Sequence, residues 1–178
     1  PVTVYDNLVD TVENNLDVLH RHMELKREAH GWDEIKMHDL YMPVTEEDQP
    51  EIEYEEAKEL VLEAVQPLGE EYVERAEEFF ENRWIDVYEN KGKRSGAYSG
   101  GTYDTPSFIM MNYQDDVKSM YTLAHELGHS LHSDLANENQ GYLDSQYKIF
   151  TAEIASNVNE ILLTNQLIEK GLYTEHAL

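Results

Sequence analysis

Apolar residues recur at steps of three and four over most of the chain, the spacing that places side chains on one face of an α-helix. The predicted helices cover residues 8–23, 54–65, 70–84, 116–137 and 145–170. The first is expected to bury one face and to end near Gly31. Gly171 is expected to end the last, because glycine readily adopts the left-handed conformation that follows many helices.

The segment between the third and fourth predicted helices differs, because it is glycine-dense and locally basic. Within it, Phe108–Tyr113 is a short apolar run bounded by turn residues, which is typical of a strand. We expect this strand to pair with one near Ala97–Ser99. The predicted fold class is mainly α, with a small antiparallel β-sheet near 96–113. One domain is expected over 1–178, with a helical part at 1–90, a strand pair at 92–114 and further helices at 115–170.

The glycines around this strand pair allow two interpretations. Glycine in a strand pair commonly marks a bulge or a tight turn. It also lets another backbone approach closely, as a peptide that adds to a sheet edge requires. On the second interpretation, the residues that contact a bound peptide are Gly96, Ala97, Tyr98, Ser99 and Gly100.

Charge excludes several classes of protein. The 178 residues include 37 Asp and Glu against 13 Lys and Arg, which gives a formal net charge of -24. Such acidity argues against a nucleic-acid partner, whose phosphates are neutralised by Lys and Arg, and against docking on an anionic membrane. We find no apolar run near the roughly 18 residues of a membrane span and expect no signal peptide, so the predicted location is the cytoplasm.

The composition also indicates whether the chain is folded or disordered. Fractions of 40% hydrophobic and 10% aromatic residues argue against disorder, although the charge is high. We interpret the excess of carboxylates as a solvated surface adapted to high salt, as in a halophilic protein. The alternative is a negative field that attracts basic ligands.

One motif carries candidate chemistry. His125 and His129 enclose an H-E-x-x-H pattern with Glu126 at its second position. A spacing of four residues puts both imidazoles on one helical face, where they can share a tetrahedral zinc ion, and Glu126 lies where it can reach a water that the metal activates. The chain has no cysteine, so any metal must be held by His, Asp or Glu. The alternative is a pair of structural histidines.

The last predicted helix offers a third ligand. Leu135 stands where the metzincin pattern requires histidine, which excludes that subclass. On an otherwise apolar helix, which we expect to be buried, Glu153 and Glu160 belong to a polar stripe. Buried carboxylates are costly unless they are paired or bind metal, so Glu153 is the predicted ligand and Glu160 is expected to orient a ligand histidine. His132 is expected to contact a ligand or the substrate. The alternative is that the stripe faces solvent.

The run His125–His132, together with Phe150–Ser156 and the pair Asn159 and Glu160, resembles oligoendopeptidase F, of the thimet oligopeptidase family of zinc metallopeptidases. Lys93–Tyr98, Phe108–Tyr113 and His38–Tyr41 resemble further segments of that family. The resemblance implies a mainly helical enzyme with a deep channel that admits short peptides. It also implies His125, His129 and Glu153 as zinc ligands and Glu126 as the catalyst. Members are several times longer, so we expect a fragment that forms the zinc-binding core of a longer peptidase.

The function predicted from these observations is that of a zinc metalloendopeptidase that cleaves oligopeptides, with one Zn2+ per chain. Glu126 is expected to act as general base towards the attacking water. The main alternative is a non-catalytic zinc-binding helical module that lacks the rest of the active site. A further alternative is an acidic interaction protein with incidental histidines. Oligomeric state is left open.

Overall fold

The computed structural model describes residues 2–42 and 50–172. The α-helices of these residues are α1 Val2–Asn14, α2 Leu16–His30, α3 Tyr54–Ala64, α4 Glu70–Glu81, α5 Val117–Asn139 and α6 Ile149–Glu169. The strands are β1 Ile85–Asp86, β2 Tyr98–Gly100 and β3 Phe108–Met110, and short 3-10 helices lie at Met37–Tyr41 and Gln66–Leu68. The predicted fold class, mainly helical with a small sheet, is confirmed.

The chain divides into two compact units near residue 48. The first contains α1 and α2, and the second contains the other helices and the sheet. Nothing in the hydrophobic pattern indicates this division. A single catalytic domain over 1–178 stays a prediction.

In the first unit, the predicted single helix is two helices that meet at Asn15. The Asn15 side chain donates to the carbonyl of Thr11 at 2.7 Å, and asparagine competes in this way with the backbone hydrogen bonds of a helix interior. Gly31 ends α2 with a φ of 65°, as predicted. The expected burial of one face is wrong for α1, where no residue is buried and Leu8 and Val12 are about half exposed.

In the second unit, the sheet has the strand order β1-β3-β2. β2 and β3 are antiparallel with Ser99 opposite Ile109, close to the predicted pairing. β1 is parallel to β3, so the sheet is mixed and not purely antiparallel as expected. The two residues of β1 are too few to leave a periodic pattern in the sequence. β3 ends at Met110, short of the predicted Tyr113.

Helices α5 and α6 form the centre of the second unit. Buried apolar residues on or near them are Val61, Phe79, Met120, Leu123, Leu127, Leu131, Leu163 and Leu167. The expectation that α6 buries its apolar residues is only partly right, because Ile149, Ile154 and Ile161 are 54–78% exposed. The face of α6 that packs on α5 carries small and polar residues instead, among them Ser156 and Asn159, both 0% exposed.

Within the described ranges, no helix is both long enough and apolar enough to cross a membrane.

Candidate metal centre

Helix α5 carries His125, Glu126 and His129 well inside its length, where the backbone is fixed on both sides. The helix begins at Asp116, whose carboxylate accepts a hydrogen bond from the Ser119 N–H at 2.7 Å. Because the two histidines are four residues apart, their rings lie on the same helical face, with centroids 4.6 Å apart and planes at 90°.

Helix α6 brings Glu153 to these rings. Its Oε2 lies 3.6 Å from Nε2 of His125 and 3.6 Å from Nε2 of His129. The three residues offer ligand atoms that all lie within 4.8 Å of one another. Ligands at about 2.0–2.2 Å from a tetrahedral zinc ion are roughly 3.3 Å apart, which is close to the 3.6 Å between Glu153 and each histidine.

The close approach of α5 and α6 depends on small residues. A Cβ added to Gly128 would lie 2.8 Å from the Cα of Ser156, a distance that real Cβ atoms do not adopt. Ser156 also donates its hydroxyl to Oε2 of Glu153 at 3.0 Å. Ser156 therefore takes part in the contact between the helices and also holds the carboxylate that α6 contributes.

The other ring nitrogen of His125 is also engaged. Its Nδ1 pairs with Oε1 of Glu160 at 2.7 Å. If Nδ1 of His125 donates to Glu160, its Nε2 carries the lone pair that a metal needs. Burial, and then the neighbouring His125, lower the pKa of His129, which favours the neutral form that binds metals.

Glu126 lies on the side of α5 that faces β2 and is only 8% exposed. Burial raises the pKa of its carboxyl, and the nearby Glu153 adds to this. His125 and a hydrogen bond from the Ser99 backbone act in the opposite direction on that pKa. Glu126 is not among the three residues with the grouped ligand atoms.

His132 lies apart from this group. Its ring stacks on Tyr147 with centroids 4.0 Å apart, and its Nδ1 is buried without a hydrogen-bond partner among the described residues. Burial, and then His129, lower the pKa of His132. The structure therefore shows a packed ring here, and the expected contact with a ligand or substrate stays a prediction.

The predicted peptide-contact residues lie on or before β2. Tyr98 and Gly100 form the hydrogen-bonded pairs with β3. Ile109, which lies opposite Ser99, donates its N–H to the Trp84 carbonyl on the β1 side of the sheet. Ser99 therefore directs its N–H and carbonyl away from the sheet. Gly96 and Ala97 precede the strand, and Gly96 has a φ of 93° that suits glycine.

The sequence does not predict the supporting roles of two side chains, the buried hydroxyl of Ser130 and the amide of Asn159. Asn159 donates to the Ala124 carbonyl and accepts from the Tyr72 hydroxyl, both at 3.0 Å. The role of Asn159 can be predicted only when it is known which face of α6 packs against α5.

The arrangement defines a helical protein with a candidate metal centre formed by two histidines of one helix and a glutamate of another. Comparison with known proteins identifies the family of this chain. The sequence profile of Peptidase family M3 matches residues 1–177. The chain belongs to peptidase family M3.

Similar proteins support this placement. The chain is 47% identical over 168 residues to oligopeptidase PepF of Bacillus subtilis, covering 94% of this chain and 25% of that protein. It is 48% identical over 170 residues to group B oligopeptidase PepB of Streptococcus agalactiae, covering 96% and 28%. The crystal structure of oligoendopeptidase-F from Enterococcus faecium is similar at 33% identity and a TM-score of 0.55, over 95% of this chain and 22% of that one. The resemblance to oligoendopeptidase F is confirmed, and the chain spans about a quarter of the length of these relatives.

Proposed function

We propose that this chain is the metal-binding core of a zinc endopeptidase that cleaves oligopeptides. His125, His129 and Glu153 hold one zinc ion per chain, and Glu126 is the general base. The observation that carries the proposal is the position of Glu153 Oε2, 3.6 Å from Nε2 of both histidines. Membership of peptidase family M3 and the names of the relatives, which are oligopeptidases and oligoendopeptidases, support it.

The donor set fits zinc. Two imidazoles and one carboxylate are ligands that catalytic zinc sites use, with a further position left open. Zinc bound there would act as a Lewis acid, which polarises a peptide carbonyl and makes an attacking water more acidic. Glu160 holds the His125 ring in the orientation that directs its Nε2 at Glu153.

Glu126 moves the proton in this reaction. Its carboxylate takes a proton from the attacking water as the new C–O bond forms, and returns it to the leaving nitrogen as the C–N bond breaks. Its pKa is raised by burial, so the carboxylate is a better proton acceptor than an exposed glutamate. The same burial keeps bulk water from competing for the proton.

The peptide substrate is expected along the outer edge of β2. Of the residues predicted from the glycine-rich segment, Ser99 is the one in β2 whose backbone carbonyl points away from the sheet. That carbonyl would accept a hydrogen bond from a peptide N–H, as in strand addition. Adaptation to high salt, which the acidic composition supports, is a further part of the proposal, as is location in the cytoplasm.

Cleavage of a quenched fluorescent peptide with and without a chelator tests the proposal. Glu126→Gln should keep zinc and lose cleavage by a factor of about 10²–10⁴, since it removes the base but no ligand. Cleavage that persists in this variant would disprove the mechanism. Because the chain spans a quarter of its relatives, the assay is run on the chain and on the polypeptide extended to their length. Stoichiometric zinc without chelator-sensitive cleavage in both would favour the non-catalytic module.

A further inference from the structure

Asn159 is a polar side chain inside the second unit and is 0% exposed. A buried amide is costly unless its donor and its acceptor are both hydrogen-bonded. Its Nδ2 donates to the Ala124 carbonyl of α5 at 3.0 Å, and its Oδ1 accepts from the Tyr72 hydroxyl of α4 at 3.0 Å. One side chain of α6 is therefore bonded to two other helices.

The two partners fix the direction in which the Asn159 amide points. The Ala124 carbonyl can only accept, so it requires the Nδ2 end of the amide, and the Oδ1 end then faces Tyr72. The Tyr72 hydroxyl is the donor of this second hydrogen bond. Tyr72 therefore holds the amide in the orientation that the bond to α5 needs.

The contact with Ala124 lies beside the candidate metal centre. Ala124 immediately precedes His125 in α5. Asn159 immediately precedes Glu160 in α6, and Oε1 of Glu160 lies 2.7 Å from Nδ1 of His125. Apolar contacts between helices are not directional, whereas a hydrogen bond from a side chain to the facing backbone is. The bond between Asn159 and Ala124 therefore sets the register at which Glu160 meets His125.

We propose that Asn159 is a positioning residue for the candidate metal centre and acts through Glu160 on the His125 ring. Its bond to the α5 backbone holds α6 so that the Glu160 carboxylate reaches Nδ1 of His125. Nε2 of that ring is then directed at Glu153, 3.6 Å away. Groups that orient a ligand histidine raise its affinity for the metal. This inference rests on the proposed zinc site of His125, His129 and Glu153.

Asn159→Leu and Tyr72→Phe separate positioning from stability, because leucine keeps the branched shape of asparagine without its polar atoms. N159L leaves the Tyr72 hydroxyl without its acceptor and should lower the urea midpoint of the 178-residue chain. In the double variant Y72F/N159L, both partners are apolar, so most of this loss should be recovered. Zinc affinity, measured by competition with a fluorescent chelator, should be about three- to tenfold weaker in both variants. Affinity that recovers together with stability would overturn the proposal.

The Glu160→Ala background tests whether Asn159 acts through Glu160. E160A removes the carboxylate that Asn159 positions. In that background, N159L should weaken zinc binding by less than about twofold further, because effects that pass through one shared partner are not additive. A purely structural role of Asn159 predicts the same loss of affinity in both backgrounds. Additive losses would therefore contradict the proposal.

Tyr72→Phe alone is decisive where N159L does not fold. It removes one hydroxyl and keeps Asn159, so zinc affinity should fall about threefold, less than in N159L. Tyr113→Phe is the matched control, since Tyr113 donates its hydroxyl to the Ile52 carbonyl at 2.9 Å, away from α5 and α6. Y113F should lower the urea midpoint and keep the zinc affinity.

Wild-type affinity in Y72F would overturn the role of Asn159, as would equal losses of affinity in Y72F and Y113F. Absence of zinc binding in the wild-type chain would instead overturn the proposed function. The two failures are therefore distinguishable.

Discussion

Gly128 of α5 and Ser156 of α6 bring the two backbones into contact, since a Cβ on Gly128 would lie 2.8 Å from the Cα of Ser156. Gly128 immediately precedes His129, and the Ser156 hydroxyl donates to Glu153 at 3.0 Å. The spacing between His129 and Glu153 is therefore set by a helix contact that only glycine permits. The geometry of the candidate metal centre and the packing of the two helices depend on the same residue.

Gly128→Ala is expected to destabilise the chain. Alanine favours a helix over glycine by about 1 kcal/mol, but the added methyl must displace backbone of α6, and such overpacking costs about 1–3 kcal/mol. We expect lower stability in urea unfolding together with weaker zinc binding, because the displacement separates His129 from Glu153. At Gly141 an added Cβ would meet nothing within 4 Å, so G141A should change stability by less than about 0.5 kcal/mol. Equal changes in stability in G128A and G141A would show that the contact between Gly128 and Ser156 is not tight.

Zinc content tests the ligand set directly. The 178-residue chain should retain one zinc ion after dialysis, and His129→Ala should retain none, because two remaining ligands bind weakly. His132→Ala is the matched control, since it removes a histidine one turn further along α5 that lies outside the grouped ligand atoms. That variant should keep its zinc. Loss of zinc from H132A alone would mean that the ligands have been assigned wrongly.

Glu160 should tune metal affinity without being a ligand. Its Oε1 pairs with Nδ1 of His125 at 2.7 Å, and groups that orient ligand histidines typically contribute 10- to 100-fold, by order of magnitude, in metal affinity. Glu160→Gln keeps an acceptor but loses the charge, so its affinity should lie between those of the wild type and Glu160→Ala. Competition with a fluorescent chelator measures the three values. Identical affinities would contradict a role for Glu160 in holding the ring.

The pairing of His125 and His129 can be predicted from the sequence, because two side chains four residues apart on a helix are neighbours whatever surrounds the helix. Glu153 was predicted for a reason that is only partly right. The sequence predicts a buried position on an apolar helix, whereas Ile149, Ile154 and Ile161 are exposed. The buried residues of α6 are the polar Ser156 and Asn159 and the apolar Leu163 and Leu167. The structure places the Glu153 carboxylate 3.6 Å from both histidines, but its side chain is 44% exposed. The short distance from its carboxylate to both imidazoles, and not its burial, makes Glu153 a candidate ligand.

The other features of the site could not be predicted, because they depend on contacts between segments far apart in the sequence. The 2.7 Å contact between the hydroxyls of Ser99 and Ser130 joins a strand to a helix, and the Tyr72 hydroxyl donates to Asn159 of another helix. The strand Ile85–Asp86 exists only because β3 lies beside it. Such contacts are decided by packing, and local periodicity does not encode them.

The acidic surface should make stability depend on salt. All six glutamates of α4 are exposed, at positions 70, 71, 74, 77, 78 and 81, and many are three or four residues apart. Like charges at this spacing destabilise a helix by about 0.2–0.5 kcal/mol per pair, and salt screens them. We expect the melting temperature to rise with KCl. The double variant Glu74→Gln and Glu77→Gln should melt higher than the wild type at low salt, and this difference should shrink at high salt.

Salt can also stabilise proteins through exclusion from their surface, which is why the double variant is needed. Exclusion acts equally on both forms, so it leaves their difference constant. A difference that does not change with KCl would contradict charge screening on α4. A melting temperature that fails to rise with KCl would contradict adaptation to high salt.

Asp134 should make stability depend on pH. Its carboxylate accepts hydrogen bonds from the N–H and the hydroxyl of Ser107, at 3.0 and 2.7 Å. Burial raises its pKa above the ordinary value of 3.8, although the two Ser107 contacts oppose this. The folded chain therefore binds this proton more tightly than the unfolded chain, so the stability that Asp134 contributes is greatest below pH 3.8 and falls as pH rises through the folded-state pKa.

Asp134→Asn removes the titration and keeps an acceptor for Ser107. The free energy of unfolding of the wild type minus that of D134N should increase as pH falls through the folded-state pKa of Asp134 towards 3.8, by at most about 1.4 kcal/mol per pH unit. It should be flat at neutral pH. Urea unfolding at several pH values measures it, with the exposed Asp104→Asn as a control for the loss of one charge. The opposite slope would mean that the Ser107 hydrogen bonds outweigh burial at this carboxylate.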